Sequence, residues 1–357
     1  MENKLKADKI RESGNTSYAN LIFFDVVNNI LSDLPSRSQE IVKKRFGIDG
    51  GKPQTLEKIG EDYGITRERV RQIIMDALKK ISKYEENDNF KKVVEKIIFT
   101  IKENNGIIKE TEIIDKLCAG NLKDANSLIF LSLGSSRIIT IEDDDIKKSW
   151  VVDKKTADKA KEVGLVIESI LSKEHKLLTD SELIRKVMDI RQDLTGSEII
   201  SFAESLLNLN KNNFDKWGMA DWIEINPRGT RERIYAVLKE KGKPLHFKEI
   251  AKIIDEYGLS KKKAHIQTVH NELIKNENFV LVGRGIYALK EWGYSKGTIR
   301  DVLENILAKS RKSLTKEEIL KEVSRVRQVK KATVLINLSN HNLFIKQNNL
   351  YTIKKQK

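Results

Sequence analysis

Arg67, Glu68, Arg71 and Gln72 fall within the eight residues TRERVRQI, 66–73. These side-chain types read base edges: arginine bonds guanine bidentately, glutamine bonds adenine, and glutamate accepts from the cytosine amino group. Arg67 and Arg71 are four apart, as are Glu68 and Gln72, so on a helix all four share one face. Val70, Ile73, Ala77 and Ile81 recur on the opposite face, which predicts a helix buried along that stripe. Thr66 stands at its N-cap position. A shorter helix precedes it, capped by Thr55, with Leu56 and Ile59 facing inward. Gly64 between the two supplies the positive φ of a tight helix exit. A helix-turn-helix has this plan, and the N-terminal end of its second helix meets the bases of the major groove. A merely solvated charged face is the rival reading of the same four residues.

Other chemistries find little support. GIDGGKP (47–53) lacks the spacing of a phosphate-cradling loop, and GRG (283–285) reads as a hairpin turn. His175, His246, His265, His270 and His341 are scattered, and one cysteine, Cys118, allows neither an internal disulfide nor a Cys-pair zinc site. We therefore expect no catalytic residues, no cofactor, no metal and no small-molecule substrate. No apolar run approaches the roughly 18 residues that span a bilayer, and the start, MENKLKADKIRESGN, lacks a signal-peptide stretch. That predicts a cytoplasmic protein with no membrane partner.

The net charge of +14 is unevenly spread. Residues 227–357 hold 29 Lys and Arg against 13 Asp and Glu, whereas residues 1–226 hold 37 against 39. A basic region of this kind favours a polyanion, double-stranded DNA above all; a basic surface with no dedicated partner is the plainer alternative.

Four segments share a pattern: GIIKETEII (106–114), LLTDSELI (177–184), PLHFKEI (244–250) and SLTKEEIL (313–320). Their glutamates, Glu112, Glu182, Glu249 and Glu318, are 70, 67 and 69 residues apart. Thr179 with Glu182 and Thr315 with Glu318 fit a capping box, so these acids are structural rather than catalytic. His246 is a further cap. An amphipathic helix precedes each motif, a second helical pattern comes after it, and a hairpin-like pair closes each unit with Trp150, Trp222, Tyr287 or Tyr351. Helix, helix, helix, hairpin repeated four times in register predicts tandem winged helices. The expected fold is mostly α, a helix-turn-helix domain followed by winged-helix modules with small β-hairpins. The expected divisions are a tail (1–19), the helix-turn-helix domain (20–86) and modules at 87–153, 154–226, 227–296 and 297–357. In the third module Lys261, Lys262, Lys263, His265, Gln267, Thr268 and Arg284 are candidate secondary DNA contacts; in the fourth, Arg325, Arg327, Lys330 and Lys331. The first module has an acidic wing, Asp143–Asp145, suited to protein docking, so the first two modules are expected to be spacers or protein contacts.

Two stretches resemble known families. LPSRSQEIVKKRFGIDGGKPQTLEKIGEDYGITRERVRQIIMDALKKI (34–81) closely resembles region 4 of housekeeping-type bacterial sigma factors, through LPSRSQEIV, RFGI, TLEKIG and TRERVRQI, with a looser likeness back to Leu21. The resemblance implies a domain that reads the promoter −35 element. It implies base contacts from Arg67, Glu68, Arg71 and Gln72, and phosphate or orienting roles for Arg37, Lys44, Arg45, Thr55, Thr66 and Arg69. It also implies a bacterial RNA polymerase partner, held at the β-subunit flap, for which Ile22, Phe23, Val26, Val27, Ile30 and Leu31 would be available, although a plain core explains most of them equally well. The family usually has Glu where this chain has Ile74. Nothing here resembles the sigma region that reads and melts the −10 element, so the chain is not expected to open promoters unaided.

The stretch 232–294, from ERIYAVLKEKGKPLHFKEIAKII to Tyr294, resembles a HARE-HTH domain, chiefly through PLHFKEIA, TVHNEL and GRGIYAL. That resemblance implies a winged helix of chromatin, restriction-associated and RNA polymerase delta proteins, without catalysis. The combined expectation is a sequence-specific transcription regulator acting with RNA polymerase. A polymerase-bound adaptor whose modules bind mainly protein, and a DNA-binding accessory of a restriction or modification system, are the alternatives.

Overall fold

The computed structural model describes residues 22–84, 87–294, 297–310, 312–326, 329–341 and 343–354; the expected tail, Leu21 and Arg327 lie outside the described residues. The fold is mostly α with small antiparallel sheets, and the chain divides into two compact units, 1–210 and 211–357.

The first unit opens with α1 (Phe23–Leu31), α2 (Ser36–Phe46), α3 (Leu56–Tyr63) and α4 (Arg67–Lys83). Thr55 and Thr66 each accept a backbone N–H three residues on, at 3.2 and 3.1 Å, and so cap α3 and α4. Gly64 has φ +62°, as its turn position requires. Ile41, Ile59, Val70 and Ile74 form a small core. The buried stripe of α4 is thus Val70, Ile74, Ala77 and Ile81, with Ile73 only half-buried. Both α2 and α3 pack on α4, which brings Ile74 under cover.

Next come α5 (Asp88–Glu103), β1 (Ile107–Lys109), α6 (Glu110–Cys118), α7 (Leu122–Gly134), β2 (Ile139–Ile141) and β3 (Ser149–Val151), with the sheet ordered β1-β3-β2. The unit continues through α8 (Lys154–Glu174), α9 (Asp180–Met188), α10 (Gly196–Ser205) and β4 (Leu209–Lys211). No core boundary falls between 86 and 87. Phe23, Val27, Leu31, Ala77 and Ile81 belong to one apolar cluster with Phe90, Ile97, Leu128, Leu131 and Trp150. A few short helices alone enclose little apolar volume, and sharing a core with the next module removes that deficit.

The joint is built by α7. Asp124 accepts the Phe24 N–H at 2.9 Å, capping α1 from 100 residues away, where Ile22 supplies no side-chain cap. Buried Asn126 donates to the Gly47 carbonyl at 2.7 Å. A Cβ at Gly134 would lie 2.3 Å from Ile81 Cγ2, so only glycine allows α7 this close to α4.

The second unit runs β5 (Trp217–Met219), α11 (Thr230–Lys241), β6 (Leu245–His246), α12 (Phe247–Glu256), α13 (Ile266–Lys275), β7 (Phe279–Gly283) and β8 (Ile286–Leu289). It continues α14 (Ile299–Ser310), β9 (Leu314–Thr315), α15 (Lys316–Val326), α16 (Lys331–Leu338), β10 (Phe344–Gln347) and β11 (Leu350–Ile353). Its sheets are ordered β6-β8-β7 and β10-β11-β9. In all three three-stranded sheets the return strand is central, flanked by a two- or three-residue strand from the repeated motif. The Thr179–Glu182 and Thr315–Glu318 boxes form, and His246 caps α12. One repeat position moves: the return strand of the second module ends at Met219, and buried Trp217, not Trp222, is its core aromatic.

Candidate nucleic-acid interface

Arg67, Glu68, Arg71 and Gln72 are all exposed on the first turns of α4, brought together as their spacing requires. They are not idle. Glu68 accepts both Arg71 Nε and Nη2, at 2.8 and 2.7 Å, and Arg71 holds the Glu68 carboxyl below its ordinary pKa. Arg67 pairs with Glu57 of α3 at 3.0 Å, and Arg69 donates to Gln72 Oε1 at 3.1 Å. Such exposed pairs are individually weak, about 0.2–1 kcal/mol. They hold the four side chains in extended poses above the helix and yield cheaply to a stronger bidentate partner.

The expected phosphate or orienting residues divide. Thr55 and Thr66 are spent as caps. Arg37 donates to the Tyr63 carbonyl, and Lys44 pairs with Asp62 at 3.1 Å and lies 4.9 Å from the Tyr63 ring centre, so both tie α2 to α3. Arg45 donates to the Gln54 carbonyl at 2.7 Å and fixes the loop into α3. These five orient the helix pair; Arg69, exposed beside the four, remains for a backbone contact. Of the residues suggested for a polymerase contact, Phe23, Val26, Val27, Ile30 and Leu31 are buried in the core shared with α7, and only Ile22 is exposed.

In the second unit, Gln267 and Thr268 lie exposed on the first turn of α13, with His265 at its N-cap position and Lys261, Lys262 and Lys263 on the loop before it. Gln267 donates to Asn271 at 2.9 Å along that face. His270 instead stacks on Phe247 at 4.2 Å and belongs to the packing. Arg284 sits exposed at the β7–β8 turn. In the last module Lys330 and Lys331 begin α16, while Arg325 pairs with Glu322 on α15. Arg228 and Arg233, which no sequence motif marks, line a cavity of about 770 Å³ with Lys261, Lys262 and Lys263. They precede those lysines by some thirty residues, and no local pattern joins them.

Residues 30–83 match the family model for Sigma-70, region 4. Residues 230–292 match that for HARE-HTH, the ASXL and restriction endonuclease HTH domain. The sigma-like segment is similar to an Arabidopsis thaliana protein named RNA polymerase sigma factor sigF, chloroplastic, being 52% identical over 52 residues. That alignment covers 15% of this chain and 10% of the relative, so the chain spans about a tenth of the curated protein it matches.

The modules between the sigma-like and HARE-HTH segments present little of their third helices. On α7 only Leu122, Lys123 and Leu133 are exposed, and on α10 only Ser197. α10 packs against β1, with Asn105 bonded to Ser201 at 2.8 Å. The acidic wing is turned to the same purpose and not to outside docking. Asp143 and Asp145 pair with Lys161 of α8, Ile146 bridges to Leu206, and the Lys147 N–H donates to the Ser205 carbonyl. Lys147 Nζ donates to the Glu204 and Leu209 carbonyls and to Asn210 Oδ1, at 3.2, 2.9 and 2.9 Å. Burial pushes its pKa down to about 8. Burial likewise pushes the Cys118 thiol up to about 12, leaving it unreactive. Among the described residues no group of acids, histidines and cysteines is arranged to hold a metal, and no helix is long and apolar enough to cross a membrane.

Proposed function

We propose that the protein is a sequence-specific DNA-binding transcription regulator, without catalytic activity, that reads duplex DNA of −35 type through α4 and acts on initiation with RNA polymerase. One observation carries this reading: Arg67, Glu68, Arg71 and Gln72 stand together, exposed, on the N-terminal turns of a capped second helix in a helix–glycine turn–helix. The match of residues 30–83 to Sigma-70 region 4 supports it, as does the relative's name. The basic second unit adds phosphate affinity, which positions the chain without specifying sequence.

The chain acts beside a separate promoter-opening factor. Opening needs aromatic side chains free to stack on unpaired bases. Here Phe23, Phe90, Trp150, Trp217 and Tyr287 are buried in cores. Binding-site selection with the wild type and with Arg71→Ala/Gln72→Ala tests the base-reading step; the same selected motif from both proteins rules it out. Footprinting with and without core polymerase tests the partner. A footprint that polymerase neither extends nor strengthens would remove it.

A further inference from the structure

Arg228, Arg233, Lys261, Lys262, Lys263 and His265 surround one open cavity at the starts of α11 and α13. No acidic side chain lines it among the described residues. Two neighbouring carboxylates are turned to backbone amides: Glu232 accepts the Arg228 and Gly229 N–H groups at 2.7 and 3.4 Å, and Asp255 accepts that of Ala264 at 2.6 Å. The Arg228 and lysine head groups have no ion-pair partner among the described residues. Arg233 is tied down: Nη2 donates to the Arg228 carbonyl at 2.9 Å, while its Nε is buried with no acceptor. His265 makes no capping bond to α13, and that helix has no acid in its first turn.

These features share one electrostatic sense. Like charges gathered around a concavity repel each other, and a buried guanidinium donor without an acceptor is costly. An anion relieves both, and the free amides at the start of α13 favour it too. Guanidinium groups suit the forked oxygens of phosphate in particular. At about 770 Å³ the cavity exceeds a lone phosphate and lies in the size range of small-ligand sites, roughly 300–1,000 Å³. We propose that it binds a nucleotide phosphate, with the attached sugar filling the remaining volume, as a site separate from the base-reading face of α4. The phosphate comes either from a nucleic-acid backbone or from a free nucleotide.

Titration calorimetry of the full chain separates the sources, using inorganic phosphate, a 5′-mononucleotide and a short duplex of unrelated sequence. Arg228→Gln, Lys262→Gln and Arg233→Gln should each weaken binding about tenfold, the scale of one lost charge-assisted bond. Saturable binding of the mononucleotide, weakened in this way, assigns a free nucleotide; weakening seen only with the duplex assigns the backbone. No binding of any ligand by the wild type, or unchanged affinities in Arg228→Gln and Lys262→Gln, overturns the proposal. Those two residues are exposed on loops, so the result stands even if Arg233→Gln fails to fold. Arg71→Ala/Gln72→Ala should leave binding of the small ligands intact, so this site and the α4 reading fail independently.

Discussion

The two units repeat one plan and use its third helix in opposite ways. In the first, α7 and α10 are buried against neighbouring elements, leaving three residues and one residue exposed. In the second, α13 exposes Ile266, Gln267, Thr268, Asn271, Ile274 and Lys275, and α16 exposes Lys331, Ala332, Thr333 and Ile336. The same helix position therefore serves either as an internal strut or as an open surface. Surface chemistry separates the two outcomes. α7 carries Phe130 and Leu131 for burial, with Asp124 and Asn126 to bond backbone groups of its neighbours. The α13 and α16 starts carry lysines, whose desolvation disfavours such burial.

The sharpest way to break this contrast is to remove the exposed half. A chain lacking residues 227–357 should bind unrelated duplex at least ~100-fold more weakly at low salt and with a flatter dependence of log affinity on log salt, because fewer counterions are released. An unchanged slope would place the basic surface off the DNA. Next in size, Arg71→Ala and Gln72→Ala should each reduce discrimination between preferred and unrelated sites by about 1–3 kcal/mol. Thermal melting of the double variant should stay near wild type, since both side chains are exposed.

Lys147→Met probes the strut role itself. It leaves the Glu204 and Leu209 carbonyls without their lysine donor and should destabilise the first unit by about 1–3 kcal/mol. Hydrogen exchange should report the loss in 1–210 and not in 211–357. The lysine also sets a pH dependence. Its folded pKa, about 8, lies below the ordinary 10.5, so between those values the unfolded chain holds more protons and rising pH favours the folded state. The melting temperature of the wild type should therefore gain on that of Lys147→Met from pH 7.5 to 9.5; a constant gap would show that Lys147 keeps its proton in the fold. The smallest effect expected is from Thr66→Ala, about 1 kcal/mol from the lost cap of α4, read as a lower unfolding midpoint.

Much of this was written locally. Thr55, Thr66 and Gly64 dictate two capped helices and their turn because caps and positive φ depend on residues only a few positions apart. The face of Arg67, Glu68, Arg71 and Gln72 follows from helical spacing alone, and the Thr179–Glu182 and Thr315–Glu318 boxes from a separation of three. The strands β6 and β9 were hidden because two residues are too few to show alternation. Trp217 and Trp222 could not be ranked, since either fits a return strand until the turn is placed. Only the tertiary structure decided that Asp124 caps α1, that Asp143 and Asp145 hold α8, and that Arg228 and Arg233 join Lys261–Lys263 around one cavity. Each of those arrangements joins side chains that lie some 16 to 100 residues apart in sequence, and a local pattern records which groups a chain possesses, not which distant groups its packing sets face to face.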